Sequence, residues 1–424
     1  MRSHLFRKPV FQWALYDWAN SAYATTIIAA FFPVYYKQVL ASELTATEST
    51  WWLGVANTVS SFVVAVLAPW LGALADKGQI HIKLLAAFTA IGVVPTALLY
   101  FVGGGDWETG LFWYGLSSVG FWGGLIFYDS MVVRVAPPGH LDSVSGFGFA
   151  LGYLGGGVLL VINVAMFQKP ELFGIEDAAT AVRVSFLTVA AWWVLFTIPL
   201  VRQGVTYPPG TVPVRGAAAM RAGFGELLKT FREIRSLKPI IFFLVAYWLY
   251  IDGVNTIMKM AVDYGLALGF PASSLITAIL LIQFIGFPAT WLFGYLGDRI
   301  SPLLGIFLGI VVYCAVTLYA MFMTDVSEFY VMAIAIGCVQ GAIQSMSRSY
   351  FGRLIPADKA GEFFGFYNMM GKAASVLGPL LMGLTAMLTG SSRYSILSLL
   401  VLFGAGGIML IFASRHAPKQ PART

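Results

Sequence analysis

Apolar residues in this chain come in long unbroken runs rather than in alternation. Twelve runs fall at about 12–36, 51–74, 84–104, 110–133, 145–167, 184–202, 239–262, 273–296, 303–323, 329–347, 363–389 and 394–413. Crossing a bilayer takes roughly 20 mostly apolar residues. In lipid the backbone must satisfy its own hydrogen bonds, so a continuous run of this length reads as a helix. The pattern predicts an all-α integral membrane protein of twelve transmembrane helices. One stretch near the middle is amphipathic: Phe224, Leu227, Leu228, Phe231 and Ile234 share a helical face, with Lys229, Arg232, Arg235 and Lys238 on the other side. That suits a helix lying on the membrane surface. The expected organisation is a six-helix bundle over 1–203, a linker over 204–237 and a second six-helix bundle over 238–424.

Polar punctuation between the runs repeats at half length. Gly72, Asp76 and Lys77 of GALADKG return 222 residues later as Gly294, Asp298 and Arg299 of GYLGDR. Asp17 and Asn20 return as Asp252 and Asn255 after 235 residues, and Arg134, Pro137, Gly146 and Phe147 as Arg353, Pro356, Gly365 and Phe366 after 219. Three such anchors predict a duplicated unit and two pseudo-symmetric halves in parallel orientation.

Composition agrees: 58% hydrophobic and 11% charged residues exclude an ordinary soluble domain. The net charge of +6 does not call for nucleic acid, because most of the Lys and Arg fall in the alternate loops that would share one side with both termini. Glu43, Glu48, Asp106, Glu108, Glu171, Glu176 and Asp177 fall in the opposite loops. By the positive-inside rule both termini are expected in the cytoplasm. Cys314 and Cys338 lie inside apolar runs and suggest no disulfide framework. His4, His81, His140 and His416 are far apart in sequence, so no metal site and no cofactor are expected. The spans contain no GxSxG or HExxH motif, so the chain is not read as an enzyme.

The candidate chemistry lies in polar groups kept inside the runs, since a charge near mid-bilayer costs at least ~2.5–3.5 kcal/mol. Trp13, Asp17 and Asn20 share one face of the first helix, and Trp248, Asp252, Asn255 and Lys259 one face of the seventh. The set expected to line a central cavity and bind a solute is Asp17, Asn20, Tyr23, Trp248, Asp252, Asn255, Gln283, Gln340, Gln344, Asn368 and Lys372. For the amides the alternative is plain interhelical hydrogen bonding. Asp252 and Asp17 are the proton-coupling candidates, with Lys372 as a possible countercharge for Asp252. Gly72, Asp76, Lys77, Asp129, Arg134, Gly294, Asp298 and Arg299 are read as a latch over an inner gate, because helices 5 and 11 begin nearby and helix N-termini attract carboxylates. The alternative is that they only anchor topology. Gly148, Gly152 and Gly156 recur every fourth residue, a stripe for close helix approach.

At these residues the chain resembles transporters of the major facilitator superfamily. Gly72-x-x-x-Asp76-Lys77-Gly78 is similar to that superfamily's motif between helices 2 and 3, and GYLGDR is similar to its weaker second copy. Gly148, Gly152, Gly156 and Gly157 resemble its antiporter motif, with Tyr153 where that motif has proline. A closer resemblance, over nearly the whole chain, is to the vacuole-effluxer-like, autophagy-related branch. It is carried by ALYDWANSAYATTI (14–27), FYDS…APP…SGFGFALGYLGGG (127–157) and YIDGVNTI (250–257). The resemblance implies a twelve-helix secondary transporter working as a monomer in a bacterial inner membrane, moving a small solute with amino-acid efflux as the leading activity. A sugar or amphipathic-drug transporter of the same fold is the first alternative. A non-transporting receptor or scaffold is the second.

Overall fold

A computed structural model describes residues 4–207, 237–267, 269–374, 377–389 and 392–417, with parts of the linker at 213–214, 218, 222–227, 229–230 and 232. The described secondary structure is all helical. Numbering only the long helices, they are α1 Lys8–Ala22, α2 Ala46–Gly78, α3 His81–Leu98, α4 Trp107–Val135, α5 Leu141–Gln168, α6 Ala178–Gln203 and α7 Lys238–Ala267. There follow α8 Ala272–Arg299, α9 Pro302–Ala320, α10 Val326–Leu354, α11 Ala360–Ala373, α12 Leu377–Thr389 and α13 Leu399–His416.

Eleven candidate crossings stand among the described residues, where the sequence predicts twelve. The difference is the first. Residues 8–40 are helical throughout but in four pieces: α1, a π-helical stretch Tyr23–Phe31, one α-turn Phe32–Tyr35 and a second π-helical stretch Tyr36–Leu40. Each piece is shorter than a bilayer. Pro33 brings no backbone donor, and the Phe32 N–H reaches back five residues to the Ile27 carbonyl, the wider π pattern. Ala357–Thr389 counts as one crossing although it is built from α11 and α12. The linker helix expected from Phe224 onward is helical where it is described, at 224–227, 229–230 and 232, while Leu228, Phe231, Ile234, Arg235 and Pro208–Gly210 lie outside the described residues.

Lipid-type surface lies outside, with Phe62, Val66, Leu195, Val311 and Leu388 well exposed. Asp17, Asp129, Asp252, Arg348 and Asn368 are buried. This inside-out polarity is what a hydrocarbon solvent demands. Two crossings dominate where the sequence halves meet: α2 packs on α11, and α5 on α8. Both are set by glycine. A Cβ at Gly72 would meet the Gly361 carbonyl oxygen at 1.9 Å, and one at Gly294 would meet Asp142 O at 3.0 Å and the Gly146 Cα at 3.1 Å. At these two points the backbones touch with no room for a side chain. The aspartates one turn later, Asp76 and Asp298, are thereby carried to the starts of α11 and α5.

Candidate functional site

The centre of the charge arrangement is Arg348 on α10, with 1% of its surface exposed. Its guanidinium lies 3.1 Å from Asp129 on α4 and 3.6 Å from Asp17 on α1. It donates to the Ser145 hydroxyl and the Ser145 carbonyl, both at 2.9 Å. Trp13, Tyr128 and Phe149 present ring faces to it at 4.9, 5.3 and 4.2 Å. The Tyr128 hydroxyl donates to Asp17 at 2.7 Å, and the Asn368 amide donates to the second oxygen of Asp129 at 3.2 Å. One buried cation from the carboxy half is thus shared by two carboxylates of the amino half. A buried guanidinium needs such saturation, because desolvation otherwise outweighs the Coulomb gain.

Sequence reading missed Arg348, which follows the apolar run at 329–347 and looks like a loop cation. The helix instead continues to Leu354 and buries it. A usable signal existed: the 219-residue shift that relates Arg134 to Arg353 also maps Asp129 onto Arg348. Asp129 is therefore corrected from a boundary latch residue to a member of this buried network.

The structure divides the predicted solute-binding residues among several settings. Asp17 and Asn368 belong to the network. Asn20, Trp248 and Gln340 each keep a buried polar atom with no protein partner, which is unusual for native interiors and leaves donors and an acceptor free for a solute. Gln344 accepts from the Tyr153 hydroxyl at 3.3 Å, linking α5 to α10, and Gln283 packs on the glycine stripe near Gly156. The stripe itself receives α1: Gly148 meets Trp13 and Asp17, and Gly152 meets Ser21. Tyr23 departs from expectation. It is fully buried in the amino half, bonded to Ser117 at 2.6 Å and Ser118 at 3.0 Å. Six residues, about 600° of α-helix, separate it from Asp17, so the two point to different faces, and Tyr23 meets α4 instead.

Asp252 is buried on α7. Its carboxylate accepts from the Leu377 N–H at 3.0 Å, the Gly378 N–H at 2.9 Å and the Thr256 hydroxyl at 3.2 Å. It thus caps the start of α12, the place where a helix presents unpaired donors and partial positive charge. Asn255 donates to Ala374 O at 2.9 Å, at the end of α11. These two, nearly one helical turn apart, hold the break between α11 and α12. Lys372, expected as the countercharge of Asp252, instead stands 2.7 Å from the centre of the Trp122 ring on α4.

The other seven latch positions gather at one end of the bundle. Asp76 accepts from Arg134 at 2.9 Å and from the Glu362 N–H at 2.9 Å, and His81 lies 3.1 Å away. Asp298 accepts from the Asp142 N–H at 3.0 Å and the Ser143 N–H at 3.2 Å, with Arg353 at 3.8 Å. Arg353 also pairs with Asp142. Each turn aspartate therefore caps the helix opposite it: Asp76 caps α11, and Asp298 caps α5. The cations are partly reassigned. Lys77 pairs with Glu226 of the linker at 3.2 Å, and that carboxylate also holds Lys359 at 3.2 Å. Arg299 stacks on Tyr295 at 4.4 Å, and the cation beside Asp298 is Arg353, from the same position that Arg134 holds in the first half. Two histidines that are distant in sequence also meet here: the His4 and His140 rings stack at 4.0 Å. Burial, with His140 next in weight, lowers the pKa of His4 below that of an ordinary imidazole.

Comparison with known proteins fits this geometry. A family model described as "Vacuole effluxer Atg22 like" matches residues 6–136 and 139–422. The chain is 38% identical over 409 residues to a Bacillus subtilis protein named "Uncharacterized MFS-type transporter YxiO", covering 96% of this chain and 95% of that one. It is 32% identical to autophagy-related protein 22 of Yarrowia lipolytica, over 61% of this chain and 48% of the relative. Among solved structures, the proton:xylose symporter XylE aligns with a TM-score of 0.71 at 14% identity, over 98% of this chain and 96% of XylE. The transporter FucP in its outward conformation aligns with a TM-score of 0.65, also at 14% identity, over 99% of this chain and 100% of FucP. At such identities the likeness is one of fold.

Proposed function

This chain belongs to the vacuole effluxer Atg22-like family of major facilitator transporters, and from that premise we propose that it exports small zwitterions, amino acids foremost, by proton-coupled alternating access. The observation that carries the reading is Arg348 held between Asp17 and Asp129 where the halves meet. A carboxylate that shares one buried cation with another can exchange that cation for a proton at modest cost, whereas either carboxylate left alone would be an uncompensated charge. Proton entry at Asp17 or Asp129 would loosen Arg348 and with it the contact between α10 and the α1–α4 face. Departure of the proton would restore it. Two states differing in one buried ion pair are what a coupled cycle needs.

The solute reading rests on opposite charges near unfilled polar atoms. Lys372 against Trp122 offers a cation for a carboxylate. The carboxylates of the network, with Asn20, Trp248 and Gln340, offer partners for an ammonium group. Asn255, Gln283, Gln344 and Asn368 complete the proposed lining, while Asp252 serves the α11–α12 break in this conformation and becomes available if that break closes. The two capped turns would hold one end shut while the other admits solute. The cation-rich loops support a cytoplasmic position for that end, in the reading of a bacterial inner-membrane protein.

The test is flux in proteoliposomes with labelled amino acids, sugars and nucleosides as competitors, with and without a proton gradient. Amino-acid counterflow that a gradient accelerates is the expected result. Counterflow answered only by sugars, or flux blind to the gradient, would overturn the reading.

A further inference from the structure

We propose that His4, His140 and Asp298 form a binding site for a zinc-class divalent cation, which pins the two halves together at the latch end. One ligand atom from each residue lies within 4.8 Å of the other two. The imidazoles stack with centroids 4.0 Å apart and planes at 21°, so one ring must turn about its side-chain bonds before both aim a nitrogen at one ion. His140 Nδ1 lies 3.6 Å from Asp298 Oδ2. Two imidazole nitrogens and one carboxylate oxygen are a borderline-soft donor set. Zinc takes it with a fourth position left to water, whereas calcium and magnesium favour oxygen cages.

The fit asks for a side-chain rotation and a small inward shift. Zinc bonds of about 2.0–2.2 Å would draw the ligand atoms inward by roughly an ångström. His4 precedes the first turn of α1, and the His140 side chain, 44% exposed, stands in the turn before α5. Neither is fixed by helix packing. Asp298 already divides its oxygens: Oδ1 takes the Asp142 N–H and faces Arg353, while Oδ2 takes the Ser143 N–H and faces His140. A metal on Oδ2 therefore leaves the Arg353 side intact. Ser143 Oγ sits 3.1 Å from His4 Nε2, the kind of hydrogen bond that orients a metal-bound ring.

The placement gives the site a consequence. His4 and His140 belong to the amino half and Asp298 to the carboxy half, so all three come together only when α5 and α8 are closed at this end. A ligand that binds one state alone shifts the population toward it. The cation would act as a brake on alternating access. That second step rests on the transport reading proposed above, while binding itself does not.

The test uses the full-length protein in nanodiscs, stripped of metal, with Zn²⁺ titrated against a chromophoric chelator. Wild type is expected to take up one equivalent. His4→Ala and His140→Ala are each expected to weaken binding at least about tenfold, and His416→Ala, an exposed histidine bonded to the Phe412 carbonyl elsewhere, is expected to change nothing. Undiminished uptake by the His4→Ala/His140→Ala double variant would overturn the site. In proteoliposomes Zn²⁺ should then slow counterflow of wild type but not of the double variant. Zinc bound with counterflow undisturbed would overturn the brake. Because the titration needs no solute, loss of the site and loss of the transport reading give different results.

Discussion

Arg348 and Asp129, 3.1 Å apart, occupy corresponding positions of the two halves. They are separated by 219 residues, the offset that also relates Arg134 to Arg353. The duplicated position thus faces its own copy across the interface, and the copies carry opposite charges. Identical residues there would repel or merely pack. The divergence of one copy to arginine and the other to aspartate turns an internal symmetry into a buried ion pair between halves. Asp17 shares that pair, while Asp252 at the corresponding position of the seventh helix is occupied by backbone amides.

Removing the cation should expose how much the carboxylates need it. Arg348→Gln leaves Asp17 and Asp129 buried without their cation, and breaking a buried pair from one side costs about 3–5 kcal/mol. A clear fall in thermal unfolding temperature is expected, with partial recovery when Asp129→Asn is added, since the second change removes the stranded charge. Equal stability of wild type and Arg348→Gln would show that the network carries no weight.

Neutralising Asp17 should separate coupling from movement. Asp17→Asn keeps the shape and the Tyr128 contact while removing the titratable group. Gradient-driven accumulation is expected to fall to background, with solute counterflow surviving. Driven accumulation at wild-type level in this variant would take Asp17 out of the coupling step.

Much of this was legible in the sequence because lipid enforces it. Most apolar runs became single helices, and the two glycine–aspartate turns met helix starts. The misses have local causes. Tyr23 stands six residues after Asp17, a different face of an α-helix, and its hydroxyl goes to Ser117 and Ser118 of α4. Residues 363–389 read as one span, yet Ala374 leaves the helical region and Asp252 takes the amides that a continuous helix would have used itself. Arg299 and Arg353 could not be told apart as partners of Asp298, because sequence spacing fixes neighbours along one turn and not across a helix crossing. Arg348 was hidden by its place at the end of an apolar run, where a cation usually meets water.

The glycine contacts at the latch predict a conformational effect rather than simple unfolding. Gly72→Val drives a side chain into the Gly361 carbonyl, and Gly294→Val drives one into α5. Overpacking of this kind costs about 1–3 kcal/mol, a population shift of roughly 5- to 150-fold. The strain exists only while the helices touch, so it is relieved by opening that end. Spin-label distances between α2 and α11, measured after replacing Cys314 and Cys338, should lengthen in Gly72→Val. Unchanged distances with a lowered unfolding temperature would mean the crossing is static packing and not a gate.

Glu226 supplies a pH-dependent test of the linker. Burial works against its ionisation, but hydrogen bonds and charge from Lys77 and Lys359 outweigh this and hold its pKa below the ordinary glutamate value. A carboxyl depressed in the folded state stabilises the fold above its unfolded pKa, about 4.3, and that contribution is lost as pH falls through the folded value. Glu226→Gln should therefore weaken closure of the latch end at pH 7, measured by the same spin-label distances, because Lys77 and Lys359 lose the carboxylate that bridges the halves. The gap between variant and wild type should narrow below about pH 4, where the native side chain is itself becoming neutral. High salt should narrow it as well, since both lysines are partly exposed. A gap that keeps its size as the pH is lowered from 7 through the folded value of the carboxyl, and that high salt leaves unchanged, would assign Glu226 a packing role and remove the linker from the electrostatics of the gate.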